Sequence, residues 1–313
     1  MKTGLSAISD EKLRQYATYA SIGVALTLLL AKLVAYFVTD SVALLSSLVD
    51  SAMDLLASMV AAFGVAHAMR PADREHRFGH GKAEALAALL QAAFILGSSA
   101  LLCVEALGRL FKPRGIENEA VGYGIMIFAI VMTLGLLAFQ RYVIHRTKSM
   151  AIGADRLHYS GDILINAAVG LSLWIQQKTG QTWPDPVFAL GIAGIMTWGA
   201  WQILRRALNV LMDRELPKAG REKIKELARA QPGVLGLHDL RTRSDGEHVF
   251  IEIHLEMDPS ITVLAAHDIA ESVINRVGQD FPNADILVHQ DPFGLKEQRR
   301  DEQIRANEPA KEH

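Results

Sequence analysis

Six long apolar stretches follow one another in the first two thirds of the chain. Their approximate bounds are 16–38, 41–69, 83–108, 120–143, 150–177 and 186–211. Each is near or above the ~20 residues that a helix needs to cross the core of a bilayer. Soluble core helices rarely occur six in succession at this length and hydrophobicity. The pattern therefore predicts a transmembrane α-helical domain of six spans over residues 1–212.

The pattern changes after residue 212. The elements expected there are a helix at 218–231, a strand near 234–243, a strand at 249–257, a helix at 263–280 and a strand at 285–289. The second strand carries the clearest signal, because Ile251, Ile253 and Leu255 alternate with Glu252 and His254. The order α-β-β-α-β predicts a small two-layer α+β domain over residues 213–295. The polar tail, residues 296–313, is expected to be disordered.

The distribution of basic residues predicts how the helices are oriented. One set of flanking segments carries ten basic residues: Lys2, Lys12, Arg14, Arg70, Arg74, Arg77, Lys82, Arg141, Arg146 and Lys148. The other set carries four: Arg109, Lys112, Arg114 and Lys178. Because Lys and Arg are enriched on the cytoplasmic side, this asymmetry predicts a multi-pass protein with both termini in the cytoplasm. The 70–82 loop and the C-terminal domain are then cytoplasmic as well.

Charge and cysteine content exclude some classes of function. The formal net charge is -2, and no basic surface suited to nucleic acid is indicated. Residues from Asp213 onward hold 14 basic and 20 acidic side chains, so the C-terminal domain is acidic. Cys103 is the single cysteine, which rules out an intramolecular disulfide and a zinc site built from cysteines.

Two pairs of ionisable residues lie inside the predicted spans. Asp50 and Asp54 are four residues apart in the second span, and His158 and Asp162 are four apart in the fifth. Spacing of four places each pair on one helical face. By helical rise, both pairs lie roughly 14 to 21 Å from a helix end, near the middle of the ~30 Å core. Ionisable residues at that depth mark ion pathways, and carboxylate and imidazole groups are ligands of Zn²⁺.

Three carboxylates and one imidazole also predict competition between metal and protons. Without a cation, three negative charges in a medium of low dielectric constant repel one another and take up protons. A bound divalent ion displaces those protons. If the site opens alternately to the two sides, proton-coupled antiport follows. The alternative is that these residues only join helices, as Ser47, Ser58 and Asn166 can do on nearby faces. Lys32, in the first span, is expected to snorkel or to pair with a partner.

At these residues the chain resembles the cation diffusion facilitator family. The motifs that carry the resemblance are Asp50-Ser-Ala-Met-Asp54, His158-Tyr-Ser-Gly-Asp162, Arg77-Phe-Gly-His-Gly-Lys-Ala-Glu84, Leu235-Gly-Leu-His-Asp-Leu-Arg-Thr-Arg243 and His289-Gln-Asp-Pro292. The resemblance covers essentially the whole chain. It implies a homodimer in a bacterial inner membrane that exchanges cytoplasmic Zn²⁺, Cd²⁺ or Fe²⁺ for outside protons. It also implies that Asp50, Asp54, His158 and Asp162 form the transport site, and that the C-terminal domain is metallochaperone-like.

The loop after the second span holds Asp73, His76 and His80, whose spacing suits one metal ion with an open coordination position. Residue types alone favour a solvated polar loop, since exposed histidines are common. The resemblance implies instead that these three residues form a second metal site. It further implies that Lys82 and Asp213 form a charged interlock that hinges the dimer.

In the C-terminal domain, five residues are candidate ligands: His238, His254, His267, His289 and Asp291. They come from different predicted elements, so their spacing does not separate a metal site from scattered surface histidines. The resemblance implies a paired site for regulatory or structural Zn²⁺, bridged by Asp291.

The leading hypothesis is an exporter of divalent cations that uses protons as counter-ions. An intramembrane metalloenzyme is disfavoured, because the chain has no H-E-x-x-H motif and no evident Ser or Cys nucleophile. A membrane-anchored metal sensor without transport is the other alternative. A sensor would not need ligands in the middle of the membrane.

Overall fold

The computed structural model describes residues 9–39, 42–111, 122–295 and 299–307. It divides into two compact units, Met1–Leu208 and Asn209–His313. The first six helices are α1 (Asp10–Thr39), α2 (Val42–Ala68), α3 (Lys82–Phe111), α4 (Gly122–Thr147), α5 (Met150–Thr179) and α6 (Pro184–Leu211). The later elements are α7 (Lys218–Arg229), β1 (Gly236–Ser244), β2 (Val249–Met257), α8 (Val263–Asp280), β3 (Ala284–Pro292) and α9 (Arg300–Asn307).

Six long helices form the membrane unit, as the apolar pattern predicts. Within the described residues, five of them are long and apolar enough to cross a membrane by length and composition, and α5 is the exception. Helix α5 falls short because it carries Asp155, Arg156, His158 and Asp162 in its first half. Helix α5, the least apolar of the six by this measure, thus holds half of the predicted transport site.

Five helices of the membrane unit pack together at the end where the loop between α2 and α3 lies, which we call the loop end. Leu13, Val65, Ala87, Val143 and Ile152, from α1 to α5 in turn, form a buried apolar cluster there. Small residues let α2 and α3 approach closely. A Cβ atom built on Gly64 would lie 2.3 Å from the Cβ of Ala87. Such small-residue contacts are typical of helix packing in membranes.

The C-terminal domain has the α-β-β-α-β order that the sequence predicts. Its sheet has the order β1-β2-β3, with β1 antiparallel and β3 parallel to β2, and α8 makes the crossover. Ile251, Ile253 and Leu255 are buried against Ile224 of α7 and Val273 of α8. The alternate residues of β2, including His254, point to the opposite face. The predicted fold class, apolar membrane helices followed by a small α+β domain, is confirmed.

The expectation of a disordered tail is wrong for residues 300–307, which form α9. Both oxygens of Asp239 accept hydrogen bonds at the start of this helix, from the N–H groups of Arg300 at 2.9 Å and Asp301 at 2.8 Å. A carboxylate is favourable there because the first N–H groups of a helix have no partner within it. Residues 296–298 and 308–313, the rest of the predicted tail, lie outside the described residues.

We expect Gly64→Ala to destabilise the membrane unit by about 1–3 kcal/mol, the usual effect of overpacking. The added methyl group would meet Ala87, whose short side chain cannot turn away. Thermal unfolding of the purified protein in detergent measures the effect. Gly23→Ala on α1 is the matched control, since nothing lies within 4 Å of its Cβ position. Equal unfolding temperatures for the two variants would contradict the close α2–α3 contact.

Candidate metal centres

The four predicted membrane ligands line one cavity of 940 Å³. Asp50 and Asp54 come from α2, and His158 and Asp162 come from α5. The Nε2 atom of His158 lies 2.9 Å from Oδ1 of Asp54. Asp54, His158 and Asp162 each offer a ligand atom within 4.8 Å of the others. Asp50, one turn before Asp54, borders the cavity but lies outside this set of three.

The cavity extends from these ligands away from the loop end. Asp54 is the cavity-lining residue of α2 nearest the loop end, and His158 is the corresponding residue of α5. On α3 the lining runs from Ala93 to Glu105, in the half of the helix farther from the loop. Asp54 and His158 therefore lie where the cavity closes.

Lys32 of α1 borders the same cavity. Its Nζ atom donates a hydrogen bond of 2.6 Å to Oγ of Ser51 on α2. The lysine thus has a polar partner inside the unit, in line with one of the two roles expected for it. A cation beside a group of carboxylates favours their ionised form.

The loop between α2 and α3 brings Asp73, His76 and His80 together, with ligand atoms within 4.8 Å of one another. Nδ1 of His76 and Nε2 of His80 each lie 3.4 Å from an oxygen of Asp73. The N–H groups of His76 and Glu75 donate to Oδ1 of Asp73, and these hydrogen bonds lower the pKa of Asp73. Gly79, with φ of 83°, supplies the left-handed turn before His80. An ionised carboxylate and two imidazoles suit a divalent cation.

Three histidines lie side by side across the sheet of the C-terminal domain. His238, His254 and His289 occupy partnered positions on β1, β2 and β3, and neighbouring ring centroids are 5.0 and 4.5 Å apart. Oδ2 of Asp291 lies 2.9 Å from Nδ1 of His254 and 3.6 Å from Nε2 of His238. Its Oδ1 lies 3.2 Å from Nε2 of His289. The two oxygens of one carboxylate thus face different histidines, an arrangement suited to bridging two ions.

His267 is not brought into this cluster. It is exposed on α8, the helix that packs on the opposite face of the sheet. Glu256, which sequence reasoning did not select, lies beside the cluster instead, with Oε1 3.1 Å from Nδ1 of His238 and an ion pair to Arg299. Its signal was its position two residues after His254, because residues i and i+2 share a strand face.

Comparison with known proteins decides the family. The model of the cation efflux transmembrane domain matches residues 18–212, and that of the cation efflux protein cytoplasmic domain matches residues 216–293. The chain belongs to the cation efflux family. These proteins are the cation diffusion facilitators, so the resemblance seen in the sequence is confirmed. They are transporters and not enzymes, which removes the metalloenzyme alternative.

Individual relatives extend over nearly the same length. The cation-efflux pump FieF of Shewanella oneidensis is 44% identical over 280 residues, covering 90% of this chain and 94% of the relative. The pump of the same name from Salmonella arizonae is 41% identical over 279 residues, covering 89% and 93%. A solved structure of MamM-CTD is 30% identical and covers 24% of this chain and 96% of that one, with a TM-score of 0.23.

This cation efflux protein has a buried polar network at the loop end of the cavity lined by the predicted membrane ligands. Asp155 of α5 is 2% exposed and accepts hydrogen bonds from Nε2 of Gln140 at 2.7 Å and Oγ of Ser58 at 3.1 Å. Gln140 also donates to Oγ of Ser21 at 3.0 Å, and the hydroxyl of Tyr159 lies 2.9 Å from that of Ser58. The network therefore joins α1, α2, α4 and α5.

Sequence reasoning missed the role of Asp155, although a signal was present. Asp155 lies three residues before His158, on a neighbouring position of the same helical face. Ser58 likewise lies four residues after Asp54. Both helices thus carry polar groups for one further turn toward the loop end. The polar face of each helix therefore continues beyond the pair of residues spaced by four.

A second buried carboxylate holds the start of α5. Oε1 of Glu84, on α3, accepts a hydrogen bond of 2.5 Å from the N–H of Met150, and its Oε2 lies 3.6 Å from Nη1 of Arg14 on α1. A carboxylate at this position accepts a hydrogen bond from an N–H group that has no partner within the helix. Its negative charge also interacts favourably with the positive end of the helix dipole. The loop end of α5 is thereby fixed to α3 and α1.

Lys82 and Asp213, the implied interlock, belong to different units. Lys82 begins α3. Asp213 has φ of 53°, and its Oδ1 lies 3.5 Å from Nη1 of Arg243. The interlock stays a prediction.

We expect Asp155→Ala to lower the stability of the membrane unit by about 1–3 kcal/mol or more, because Gln140 and Ser58 would lose a buried acceptor. Asp155→Asn keeps one acceptor oxygen and should lose less. Thermal unfolding in detergent measures both. Asp10→Ala, which removes an exposed partner of Arg146, is the control and should change stability by at most about 1 kcal/mol. If Asp155→Ala unfolds at the same temperature as this control, the network does not stabilise the helices.

Proposed function

We propose that the protein exports zinc-like divalent cations from the cytoplasm and takes up protons in exchange. The observation that carries the proposal is the cluster of Asp54, His158 and Asp162, with Asp50 one turn away, where a cavity closes inside the membrane unit. Nitrogen and oxygen ligands of this kind suit Zn²⁺, and also Cd²⁺ or Fe²⁺. The relatives are cation-efflux pumps by name, which supports the same function for this chain.

The proton exchange follows from charge. A divalent ion among three carboxylates leaves a net charge of about -1, whereas the carboxylates alone would carry about -3 in a medium of low dielectric constant. Loss of the metal is therefore coupled to gain of protons, and the reverse. Lys32 reduces the repulsion within the cavity without acting as a ligand. Release outward on proton uptake and loading inward on proton loss give an antiport cycle.

Alternating access requires that the metal ligands can be closed off from each side of the membrane in turn. With the loop between α2 and α3 in the cytoplasm, as the basic residues predict, the cavity extends from the ligands toward the outside. The network around Asp155 then separates the ligands from the cytoplasm. Loading from the cytoplasm requires α5 to move away from α2 and α4 at this network, while the outer cavity closes. Two such arrangements of packed helices form a two-state element.

The C-terminal domain is proposed to join two copies in a homodimer in a bacterial inner membrane, and to respond to metal. Six more acidic than basic residues follow residue 212, so two facing domains repel each other. Ions bound at His238, His254, His289 and Asp291 would offset that repulsion and favour close apposition. Metal in the cytoplasm would then raise the transport rate. A sensor that does not transport is the remaining alternative, and it gives no role to ligands inside the membrane.

Vesicles that contain the purified protein, a zinc dye and a pH dye test the export proposal. We expect zinc entry to be accompanied by proton exit, and Asp54→Asn to abolish both, because the substitution removes a charged ligand. Asp185→Asn is the control, since Asp185 pairs with Arg109 at 3.2 Å and lies outside the cavity lining. Zinc binding without flux in the unaltered protein would refute export and support the sensor.

The same vesicles test regulation by the C-terminal domain. The rate of transport should rise with cytoplasmic-side zinc more steeply than one site allows, and His238→Ala with Asp291→Ala should reduce it to simple saturation. The matched control is His248→Ala with Asp285→Ala, a histidine and an exposed aspartate outside the cluster. Regulation by this site is excluded if the altered cluster and the control share the metal dependence of the unaltered protein.

A further inference from the structure

A fourth histidine lies beside the three residues of the loop site. His67 belongs to the last turn of α2, outside the motif that pointed to Asp73, His76 and His80. Its ring centroid lies 4.9 Å from that of His80, with the ring planes at 90°. His67 is also stacked on Phe63 at 5.6 Å, which places one face of its ring.

Two ring nitrogen atoms at this contact lack a hydrogen-bond partner among the described residues. They are Nδ1 of His67 and Nδ1 of His80, and both are buried. Asp73 approaches the other nitrogen of His80, Nε2. Leaving a buried polar atom without a partner is unfavourable. An ion beside Asp73 would bind His80 through Nε2. If His67 only packed against His80, its buried Nδ1 would stay without a partner, whereas a metal ion bound through that atom would remove the penalty.

The spacing of the rings fits a shared ion. Two imidazoles on one tetrahedral zinc have centroids about 5 Å apart, because each nitrogen lies about 2.0 Å from the metal. The centroids of His76 and His80 are 4.6 Å apart, and those of His67 and His80 are 4.9 Å apart. The rings of His67 and His76 are therefore both at the centroid separation from His80 that two ligands of one zinc ion would have.

We propose that His67 is the fourth ligand of a closed zinc site with Asp73, His76 and His80. As the side chains lie, His67 is outside the set of three with ligand atoms within 4.8 Å of one another, so binding turns its ring toward the ion. The inference rests on the part of the proposed function in which the protein handles divalent metals, and it does not require transport.

A fourth protein ligand changes what the site does. Three ligands leave a position for water or for transfer of the ion, whereas four protein ligands complete the tetrahedral shell of structural zinc sites. His67 ends α2, which carries Asp54, and His80 precedes α3. The ion would therefore join α2 to α3 at the loop end. The site holds its zinc instead of passing it to the transport cavity.

The test uses the full chain with the other metal sites disabled by Asp54→Asn, Asp162→Asn, His254→Ala and Asp291→Asn. Zinc affinity is measured by competition with a chromophoric chelator, and coordination is measured from the visible spectrum of bound Co²⁺. We expect one ion and a strong tetrahedral Co²⁺ spectrum. His67→Gln should weaken zinc binding by at least about tenfold, since even an outer partner of a ligand is worth about 10–100-fold. It should also weaken the Co²⁺ bands as water replaces imidazole.

His145→Gln, at the end of α4, is the matched control and should change neither measurement. His67→Cys gives a positive test, because a thiolate ligand adds a near-ultraviolet charge-transfer band to bound Co²⁺. A folded His67→Cys protein that binds Co²⁺ without this band overturns the proposal. The proposal is also overturned if His67→Gln lowers the affinity for zinc but leaves the Co²⁺ spectrum unchanged, because His67 would then act through His80.

A chain with the other sites disabled that binds no zinc overturns the loop site and the role of His67 together. It would leave the export proposal standing, because zinc flux by the unaltered protein is measured separately in vesicles.

Discussion

Carboxylates placed inside a bilayer must be neutralised, and this requirement governs the membrane unit. Asp50, Asp54 and Asp162 cannot all stay ionised beside one another in hydrocarbon without a compensating cation or protons. The cavity, the contact between His158 and Asp54 and the presence of Lys32 all reduce that energetic penalty. The same requirement supports the proposal that the cluster binds cations, since only a positive species improves the electrostatics of the group.

Helix α5 carries polar groups through its first four turns and shows how the fold tolerates them. Its first turn is held by Glu84, its second by the network around Asp155, and its third and fourth carry His158 and Asp162. The first N–H group of the helix and the carboxylate of Asp155 thus have partners on neighbouring helices. Satisfied polar groups hold helices in one arrangement more firmly than apolar contacts alone. The ligands are therefore presented from a helix whose position is fixed at one end.

Much of the fold could be predicted from the sequence, because buried positions recur as apolar residues in a regular pattern. Ile251, Ile253 and Leu255 alternate along β2 as expected, and the apolar stretches correspond to the six helices. Helix α1 begins at Asp10, six residues before its apolar stretch, because Asp10 and Glu11 are favourable in a first helical turn. The start of α9 was missed because the group that stabilises it, Asp239, is sixty residues away in the chain.

The candidate sites also differ in whether local sequence could place their residues. Asp54 and His158 could be placed from spacing and depth, which are local properties of a helix. The row of His238, His254 and His289 could not, because it depends on the register of one antiparallel and one parallel pairing. The roles of Asp155 and His67 also depend on contacts with other segments of the chain. Spacing from His158 points to Asp155, but no spacing points to His67.

The register of the histidine row bears on how the domain folds during synthesis and on how long the protein lasts in the cell. His238 and His254 leave the ribosome well before His289 and Asp291, and the chain must cross over through α8 for β3 to pair parallel to β2. The row is consequently complete only in a finished domain, so metal bound there as proposed would stabilise the folded chain over every incomplete one. A cell short of metal would then hold more of this domain in forms that proteases can cut, and the supply of the ion would influence the lifetime of the protein.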